Sequence, residues 1–444
     1  MYHVEVTVPA SKSLSHRALI CAGLALGVSR VENVLDSQDL DRTRACLEAL
    51  GTQFEVEADG LVVRGRGGIG QVNQASLDVG ESGTTCRLLT AVAAAGSGVF
   101  SLAGQGRMHQ RPIAPLASAL HQLGCRFEWL EADGFLPCRV HSSGLKGGQT
   151  TVALDESSQF LSGLLLASPL ACDPLTIGIG GQRAVSWPYV ALTLEVMRFF
   201  GQEPILEQAH GERWHSVPFE SNPSIEPSKT RFRCHPGVYS PQRYRVEGDW
   251  SNASYFVAAG AIGPRPVRLR GLYKDSRQGD RVIVDIVKQF GAYVEWGRES
   301  LVVAPGPLQG QELDMGPCPD LVPTVAVMAS LAEGPTVIKN IAHLQLKESD
   351  RLNGVANELR KAGAEVTVEA DTLTIIPCPL GTKPLRLSTY DDHRMAMALS
   401  LFQLAGLHLQ LDNPGCVAKS FPRFWEQWDK VRQASEGTSE RPGN

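Results

Sequence analysis

The sequence predicts an α/β protein of two similar domains, in which apolar helices lie buried inside a shell of sheets. The first observation is a unit that recurs six times: a small-residue apolar helix, a Gly/Pro turn and a β-branched strand. The second is an amphipathic helix, ending in glycine, that follows five of these copies. The third is the length of 444 residues, which suits two or three domains at about 150 residues each.

The recurring apolar helices carry Ala and Leu on all their faces, which is typical of buried helices. The six copies are RALICAGLALGVSRVENV, RLLTAVAAAGSGVFSLAG, LSGLLLASPLACDPLTIGI, SYFVAAGAIGPRPVRLRGL, TVAVMASLAEGPTVIKNI and RMAMALSLFQLAGLHLQL. Three copies precede roughly residue 245 and three follow it. We therefore expect residues 10–244 to form one three-unit domain, and residues 1–9 with 245–433 to form the second.

The amphipathic helices end in a glycine just past the last apolar position, which is a C-cap signal. These glycines are Gly51, Gly124, Gly201, Gly291 and Gly363. After each of them, alternation such as TQFEVEADGLVVRG predicts a hairpin. The sixth copy lacks its hairpin and is followed by a closing helix, FPRFWEQWDKVRQ. We expect the N-terminal strand, residues 2–8, to take over part of the missing hairpin's role.

Two polar stretches fall outside this repeat. Residues 203–243 form the widest gap between copies and predict a decorated hairpin that ends in the crossover between the domains. Residues 434–444, ASEGTSERPGN, contain no apolar residue beyond Ala and predict a disordered tail.

Charge and composition argue against several classes of protein. The formal charge is −5, from 42 basic and 47 acidic residues, whereas a nucleic-acid-binding protein usually has a basic excess. No apolar run reaches the roughly 18 residues of a membrane span, and the N-terminus lacks the pattern of a signal peptide. The ten cysteines form no CxxC pair and no zinc spacing, so we expect reduced thiols, no metal and a cytoplasmic protein.

A GxGxxG pattern occurs at Gly65, Gly67 and Gly70. It follows a strand-like LVVRG, but the next residues, QVNQASLDVG, do not form a phosphate-capping helix. Because the pattern lacks the βαβ context of a dinucleotide site, we interpret it as a glycine-rich loop.

Polar clusters at the starts of the apolar helices predict a site for anions. Residues 11–17, SKSLSHR, place serines, a lysine and an arginine where a helix begins, and helix N-termini favour anions. Similar clusters open other copies of the apolar helix: residues 80–87, 157–159, 247–251 and 391–394. Because the same cluster recurs at equivalent positions, we expect these helix starts to converge on one cleft.

The charged residues at these positions suit more than one anionic group. Cations occur at Lys12, Arg17, Arg111, Lys347, Arg351, Arg394 and Lys419, with Asp320, Glu348 and Asp392 among them. Carboxylates among so many cations stay ionised or titrate with shifted pKa values, which suits acid/base chemistry. We interpret His393 as a structural hydrogen-bonding residue.

With these motifs, the chain from about Val8 to Phe424 resembles the 5-enolpyruvylshikimate-3-phosphate synthase family. The motifs that carry the resemblance, in family order, are PxSKSxSxRAL, SGTTxR, QRPI, SSQ, SxPY, EGDxSxASYF, QGD, KESDR, DDHRMAM and AKSFP. The resemblance implies an inside-out α/β barrel in each domain, built from three βαβαββ units, with a double crossover between the domains. It further implies enolpyruvyl transfer from phosphoenolpyruvate to the 5-hydroxyl of shikimate 3-phosphate, through a tetrahedral intermediate and without metal or organic cofactor.

The resemblance also assigns residues to the two substrates. For shikimate 3-phosphate it implies Lys12, Ser13, Arg17, Ser157, Ser158, Gln159, Ser186, Asp320 and Lys347. For phosphoenolpyruvate it implies Lys12, Gly83, Arg111, Gln159, Arg351, Arg394 and Lys419. Asp320 would take the proton of the attacking hydroxyl, and Glu348 would protonate the methylene carbon, a role for which Lys12 competes. The resemblance implies a monomer that closes on its substrates and excludes water from the intermediate.

Five positions depart from the family pattern: Ala10, His16, Glu81, Trp187 and His343. None of them removes a charged group of the motifs. They bear on substrate affinity and on sensitivity to phosphoenolpyruvate mimics such as glyphosate, for which the retained Gly83 predicts a sensitive site.

Three other functions remain open at this point. The sister enzyme that transfers enolpyruvyl to UDP-N-acetylglucosamine carries a Lys-Asn pair in the first motif, where this chain has Lys12-Ser13. A homologue acting on another phosphorylated cyclitol would keep most of the motifs. A catalytically inactive anion-binding protein or scaffold would lack at least one of Lys12, Asp320, Glu348 or Arg394, and all four are present.

Overall fold

The computed structural model describes residues 3–221, 223–298, 300–379 and 383–436. The chain divides into two compact units. The first, Ser11–Val246, is called the N-unit. The second, called the C-unit, combines Met1–Ala10 with Glu247–Asn444. Strands and helices are numbered along the chain.

Two kinds of helix alternate in the N-unit: α1 (Lys12–Leu24), α2 (Gln38–Ala49), α3 (Gly83–Ala94), α4 (Ala114–Gln122), α5 (Gln159–Ala167) and α6 (Trp187–Phe199). The odd-numbered helices are the predicted apolar ones. They are buried on every face, and their only incompletely buried residues are Ser13, Thr84 and Gln159. All three lie in the first two positions of their helix, so each of these helices is partly exposed at its start and buried over the rest of its length.

The strands of the N-unit form three sheets. The first has the order β14-β2-β4-β3, with β2 (Leu26–Glu32), β3 (Gln53–Glu57), β4 (Gly60–Arg66) and β14 (Arg243–Arg245). The second is β5-β6-β8-β7, with β5 (Gln74–Asp78), β6 (Ser97–Ala103), β7 (Arg126–Trp129) and β8 (Cys138–Ser143). The third is β12-β11-β13-β10-β9, with β9 (Gly148–Ala153), β10 (Leu175–Gly180), β11 (Ile205–His210), β12 (Arg213–Ser216) and β13 (Thr230–Cys234).

The C-unit has the same alternation of helices: α7 (Trp250–Ile262), α8 (Ile283–Phe290), α9 (Val322–Ala329), α10 (Arg351–Ala362), α11 (His393–Leu399) and α12 (Phe424–Glu436). Its first sheet, β1-β15-β17-β16, contains β1 (Val4–Thr7), β15 (Val267–Arg270), β16 (Tyr293–Trp296) and β17 (Ser300–Ala304). The second, β18-β19-β21-β20, contains β18 (Glu312–Asp314), β19 (Thr336–Lys339), β20 (Glu365–Val368) and β21 (Thr372–Ile376). The third pairs β22 (Leu385–Leu387) with β23 (Leu409–Leu411).

Glycines end the amphipathic helices as predicted. Gly291 and Gly363 adopt φ of 111° and 109°, a left-handed conformation that costs other residues energy. Their N–H groups donate to carbonyls of the last helical turn, which satisfies acceptors left open at the helix end. The chain can then reverse into β16–β17 and β20–β21, so the predicted helix–glycine–hairpin unit is confirmed at both positions.

The predicted role of the N-terminal strand is wrong. β1 pairs in parallel with β15, with Val4 opposite Val267, and does not join the two-stranded sheet of the sixth copy. The physical reason is burial, because Val4 and Val6 face the C-unit core. As a parallel edge strand beside β15, β1 forms backbone hydrogen bonds and buries these two valines at the same time.

Helix α12 continues through Glu436 and includes Ala434. The prediction of a disordered tail is therefore wrong for residues 434–436, which complete the last turn of this helix, and the rest of that predicted tail, 437–444, lies outside the described residues.

The GxGxxG segment is a glycine-rich loop, as predicted. Gly65 lies within β4, whereas Gly67 and Gly70 turn the chain with φ of 76° and 66°. The next element is strand β5. Because a dinucleotide site needs a helix N-terminus at this point, the segment does not form one. Within the described part of the chain, no helix is long and apolar enough to cross a membrane.

Candidate active-site residues

The start of α1 holds a buried lysine. Ser11 caps the helix, and its Oγ accepts a 3.4 Å hydrogen bond from the N–H of Leu14. Lys12 follows at the first helical position, with its Nζ 3.1 Å from Asp39 Oδ2 on α2. Both charged side chains are largely buried, so the ion pair fixes the ammonium group beside the exposed start of the helix. Asp39 lies outside the sequence motifs, so no sequence signal marks it as the partner of Lys12.

Arg17, one turn further along α1, lies in a cage of neutral acceptors. Its guanidinium donates to Thr193 Oγ1 at 2.7 Å and to the carbonyls of Ser13 and Tyr189 at 2.9 and 3.0 Å. None of its acceptors among the described residues is a carboxylate. Burial of this charge lowers the pKa of Arg17 to about 10, which still leaves it protonated at neutral pH. Among the described residues no carboxylate pairs with this cation, which donates to the carbonyl of the half-buried Ser13.

The start of α3 is shaped around an arginine. Ser82 caps this helix by accepting from the N–H of Thr85 at 3.2 Å. Gly83 follows, and a Cβ placed on it would lie 2.5 Å from Nη2 of Arg111. The guanidinium therefore lies directly against the glycine backbone, beside the free N–H groups of the helix start. Both positions were predicted to bind phosphoenolpyruvate.

Gln159 opens α5 and has both ends of its amide engaged. Its Oε1 accepts from Arg87 Nη1 at 2.9 Å, and its Nε2 donates to Thr84 Oγ1 at 2.9 Å. Arg87 therefore sets which way the amide points, and it joins α3 to α5. Arg87 belongs to the SGTTxR motif, but the family resemblance alone gives it no role.

Three of the serines predicted to bind shikimate 3-phosphate lie at two other helix starts of the N-unit. Ser157 Oγ accepts from the N–H of Gln159 at 3.2 Å, and Ser158 is the residue before the first turn of α5. Ser186 precedes α6 with φ of 55°, and its side chain makes no capping hydrogen bond. A left-handed serine is uncommon, and such strain often marks a functional position.

In the C-unit, Arg351 is surrounded by carboxylates. Its guanidinium donates to Asp392 Oδ2 at 2.7 Å, Glu348 Oε2 at 2.6 Å and Asp320 Oδ1 at 2.9 Å. Burial would lower its pKa, but the three carboxylates outweigh burial and raise it. Asp392 is itself fully buried and caps α11 by accepting from the N–H of Arg394. Because three elements contribute, this cluster fixes α10 and α11 against the turn that carries Asp320.

Asp320 bridges two arginines. Its Oδ2 accepts from Arg394 Nη2 at 2.7 Å, opposite the contact with Arg351. Burial alone would raise the pKa of Asp320, but the charges of Arg394, Arg351 and Lys347 outweigh it and hold the pKa well below its usual range. Asp320 is therefore ionised in this arrangement, and side-chain exposure of 19% leaves it accessible.

The remaining predicted cations of the C-unit occupy turns. Lys347 follows a short 3-10 turn and is half-buried, next to Glu348 in the sequence. Lys419 ends another 3-10 turn and is buried. His393 is fully buried beside the carboxylate of Asp392, with Nδ1 3.9 Å from Oδ1.

Asp280 is a buried carboxyl that sequence reasoning missed. It accepts a short hydrogen bond from the hydroxyl of Ser251. Burial, followed by the charge of Asp320, raises the pKa of Asp280 to about 7. Asp280 is the last residue of the QGD motif, so the sequence marks its position. A motif does not predict that the side chain is buried.

Three departures from the family pattern are buried within their own units. His16 on α1 bonds through Nδ1 to Thr43 Oγ1 at 2.7 Å, Trp187 stacks on Phe232, and His343 lies in a 3-10 turn. Ala10 is also buried, whereas Glu81 is exposed and its carboxylate lies against Gly106. In the described ranges, no group of three or more His, Cys, Asp or Glu side chains could hold a metal ion.

An α/β fold whose buried helices carry lysine, arginine and serine near their starts is typical of a protein suited to anionic ligands. The family model "EPSP synthase (3-phosphoshikimate 1-carboxyvinyltransferase)" matches residues 2–428. The chain belongs to this family.

Curated relatives are similar in sequence to this protein over nearly its whole chain. A 3-phosphoshikimate 1-carboxyvinyltransferase of Aeromonas salmonicida is 40% identical over 433 residues, which cover 97% of this chain and 96% of the relative. That of Shewanella denitrificans is 39% identical over 434 residues, with the same coverage. EPSP synthase from Acinetobacter baumannii superimposes with a TM-score of 0.72 at 24% identity, covering 96% and 95% of the two chains. The enolpyruvyl transferase NikO from Streptomyces tendae gives 0.70 at 18% identity, covering 96% and 94%. These two structures show a shared α/β fold.

Proposed function

We propose that this protein transfers the enolpyruvyl group of phosphoenolpyruvate to the 5-hydroxyl of shikimate 3-phosphate and releases inorganic phosphate, a step of aromatic amino acid biosynthesis. The observation that carries the proposal is the Arg351–Asp320–Arg394 cluster, in which a carboxylate is held between two guanidinium groups at 2.9 and 2.7 Å. This cluster combines a base with cations, in a chain that the family model matches over residues 2–428.

Shikimate 3-phosphate binds the N-unit through the starts of three helices. Ser13 and Arg17 face its carboxylate side, because Arg17 supplies a charge that no described carboxylate neutralises. Its phosphate accepts hydrogen bonds from the serine hydroxyls at the starts of α5 and α6, where helix N–H groups and dipoles favour anions. The full set is Lys12, Ser13, Arg17, Ser157, Ser158, Gln159 and Ser186, with Asp320 and Lys347 at the reacting hydroxyl.

Phosphoenolpyruvate binds the cations that lie at helix starts and turns. Arg111 is suited to it because the guanidinium lies beside the free N–H groups at Gly83. A planar guanidinium recognises carboxylate or phosphate through two parallel hydrogen bonds. The full set is Lys12, Gly83, Arg111, Gln159, Arg351, Arg394 and Lys419.

Asp320 acts as the base in the addition step. It takes the proton of the 5-hydroxyl while that oxygen attacks C2 of phosphoenolpyruvate, and Glu348 or Lys12 gives a proton to C3. In the elimination step the new methyl group returns a proton to the residue that supplied it, the C2=C3 double bond re-forms, and phosphate leaves with the electrons of the C2–O bond. In the free protein Arg394 and Arg351 suppress the basicity of Asp320. Anionic groups of the substrate that engage these arginines weaken that suppression and raise the pKa of the base toward a useful value.

The same proposal includes the finer architecture. Each unit would be an inside-out α/β barrel of three βαβαββ repeats, with buried α1, α3 and α5 in one and α7, α9 and α11 in the other. The domains would comprise 10–244, and 1–9 with 245–433, joined by a double crossover. The burial of these six helices supports this arrangement. The monomeric state and the cytoplasmic location stay predictions from the sequence.

The test is release of inorganic phosphate by purified protein given phosphoenolpyruvate and shikimate 3-phosphate. UDP-N-acetylglucosamine and a different phosphorylated cyclitol serve as alternative acceptors. We expect Asp320→Ala to lower kcat by about 10²- to 10⁴-fold, the usual contribution of a general base. The control is Asp314→Ala, which removes an exposed carboxylate that bonds Asn340, and it should leave kcat within about twofold. Release with the UDP-sugar or the other cyclitol alone would assign a different acceptor, and no release from folded protein would overturn the function.

A further inference from the structure

Two consecutive residues in the turn before α11 adopt a left-handed backbone. Tyr390 has φ of 55° and Asp391 has φ of 54°, and neither is glycine. A left-handed tyrosine is a clear outlier, since its Cβ crowds the backbone in this conformation. Such strain persists only where the surrounding structure enforces it, and it concentrates at functional sites.

A buried carboxylate on α10 holds one side of this turn. Glu358 is fully buried, and its Oε1 accepts from the hydroxyl of Tyr390 at 2.7 Å. Its Oε2 accepts from the N–H of Ser388 at 3.0 Å, and Lys361 Nζ lies 2.8 Å from both oxygens. The ring of Tyr390 lies over Gly354, where a Cβ would be 3.4 Å from it. The tyrosine is therefore fixed at both its ring and its hydroxyl.

A second carboxylate holds the other side of the turn. Asp412 accepts from the N–H and the hydroxyl of Thr389, both at 2.8 Å, and from the hydroxyl of Ser388 at 2.5 Å. Asn413 donates to Asp391 Oδ1 at 2.7 Å. The strained pair is thus enclosed by hydrogen bonds that come from α10 and from the segment after β23.

The turn leads directly into residues of the candidate site. Asp392 follows the strained pair, and Arg394 lies two residues later. Helix α10 contacts both ends of this segment: Arg351, its first residue, donates to Asp392, and Glu358, two turns later, accepts from Tyr390. The register of α11 against α10 is therefore fixed at two points, one within the site and one outside it.

We propose that Glu358 and Tyr390 are positioning residues that keep the turn left-handed, and so set the reach of Arg394 toward phosphoenolpyruvate. This inference rests on the proposed function, because that function supplies the anion that Arg394 meets. A turn with ordinary φ values would rotate the start of α11, on which Arg394 is the second residue. The arginine would then meet the anion in a less favourable geometry.

Tyr390→Phe tests the proposal most directly, because it keeps the ring over Gly354 and removes only the hydroxyl. We expect KM for phosphoenolpyruvate to rise about five- to tenfold, with KM for shikimate 3-phosphate within twofold, because losing the hydrogen bond from Tyr390 to Glu358 lets the turn relax. Glu358→Gln keeps an acceptor for the hydroxyl and should show a smaller rise than Glu358→Ala. Lys361→Met is the control, because it removes a half-exposed partner of Glu358 that has no bond to the turn, and its KM values should match the wild type.

A merely structural role predicts a different result. If Tyr390→Phe and Glu358→Gln lower the melting temperature while KM for phosphoenolpyruvate stays at the wild-type value, the proposal is wrong. Inactivity of the wild type would instead overturn the proposed function. The positioning role is then read from the Nε–Hε NMR resonance of Arg394 without ligand: a shift in Tyr390→Phe but not in Lys361→Met supports it, and no shift in either refutes it.

Discussion

At the scale of single residues, Gly83 shows how one missing side chain makes room for a cation. Because Gly83 has no Cβ, the Arg111 guanidinium has room beside it. A Cβ at this position would lie only 2.5 Å from Nη2 of Arg111. We expect Gly83→Ala to displace Arg111 and to raise KM for phosphoenolpyruvate about tenfold, the equivalent of about 1.4 kcal/mol. Steady-state kinetics with each substrate varied in turn measure the effect, and KM for shikimate 3-phosphate serves as the internal control. An unchanged KM for phosphoenolpyruvate would show that Arg111 does not need its present position.

His16 provides a second prediction, because its imidazole is buried near two cations. Burial is the main cause that lowers the pKa of His16 to about 3, and Lys12 and Arg17 add to it. The unfolded chain takes up a proton as pH falls through about 6.5, and the folded protein does not. Folded stability therefore decreases as pH falls from about 6.5 toward 3.

The variant that tests this is His16→Asn. Between pH 7.5 and 5.5 the wild type should lose about 1.4 kcal/mol more unfolding free energy than the variant does. Urea denaturation at the two pH values measures this difference. Equal losses in the two proteins would mean that His16 is protonated in the folded state.

At the scale of elements, a chain of hydroxyl groups joins three helices of the N-unit. The hydroxyl of Thr43 on α2 lies 2.7 Å from His16 on α1 and 2.7 Å from Thr85 on α3. Thr85 also contacts Ser82, the cap of α3, at 2.8 Å. The starts of α1 and α3, which carry Lys12 and Gly83, are thus linked through a fully buried threonine.

We expect Thr43→Val to destabilise the protein by about 1–3 kcal/mol, because it leaves the buried Nδ1 of His16 without its hydroxyl partner and takes one contact from Thr85, which keeps Ser82. Thr90→Val is the matched control: Thr90 is equally buried but donates only to a carbonyl of its own helix, Cys86. Its cost should be well below that of Thr43→Val. Similar unfolding free energies for the two variants would contradict the linking role.

Local patterns predict elements well and their tertiary partners poorly. The spans of α1, α3 and α5 follow from runs of small apolar residues, and the ends of α8 and α10 follow from Gly291 and Gly363. The cluster around Arg351 was not predictable in its geometry, because its carboxylates come from a 3-10 turn, a loop and the start of α11. The residues of the site were found by motif, but the pairing that suppresses the basicity of Asp320 exists only after folding.

At the scale of the whole molecule, the two units differ in how they are composed. The N-unit is a single segment, Ser11–Val246, and its three sheets use strands from that segment alone. The C-unit needs β1 from the other end of the chain. We expect a fragment of residues 11–246 to unfold cooperatively in urea, as an independent domain does. A fragment of residues 247–444 should not do so until a peptide of residues 1–10 is added.

Circular dichroism at increasing urea concentration, with and without the peptide, measures both expectations. A peptide in which Val4 and Val6 are replaced by Asp is the control, because these valines face the C-unit core. Cooperative unfolding of 247–444 alone would show that β1 is dispensable.

The pairing of β1 with β15 has a consequence for how the chain is made. Val4 leaves the ribosome about 260 residues before its partner Val267, a delay of tens of seconds at about 5–20 residues per second. During this time the whole N-unit can fold, while the segment of β1 stays unpaired with Val4 and Val6 exposed to solvent. In that interval β1 can bind a chaperone or pair with another chain and aggregate. The speed of translation between residues 10 and 270 should therefore govern the yield of native protein.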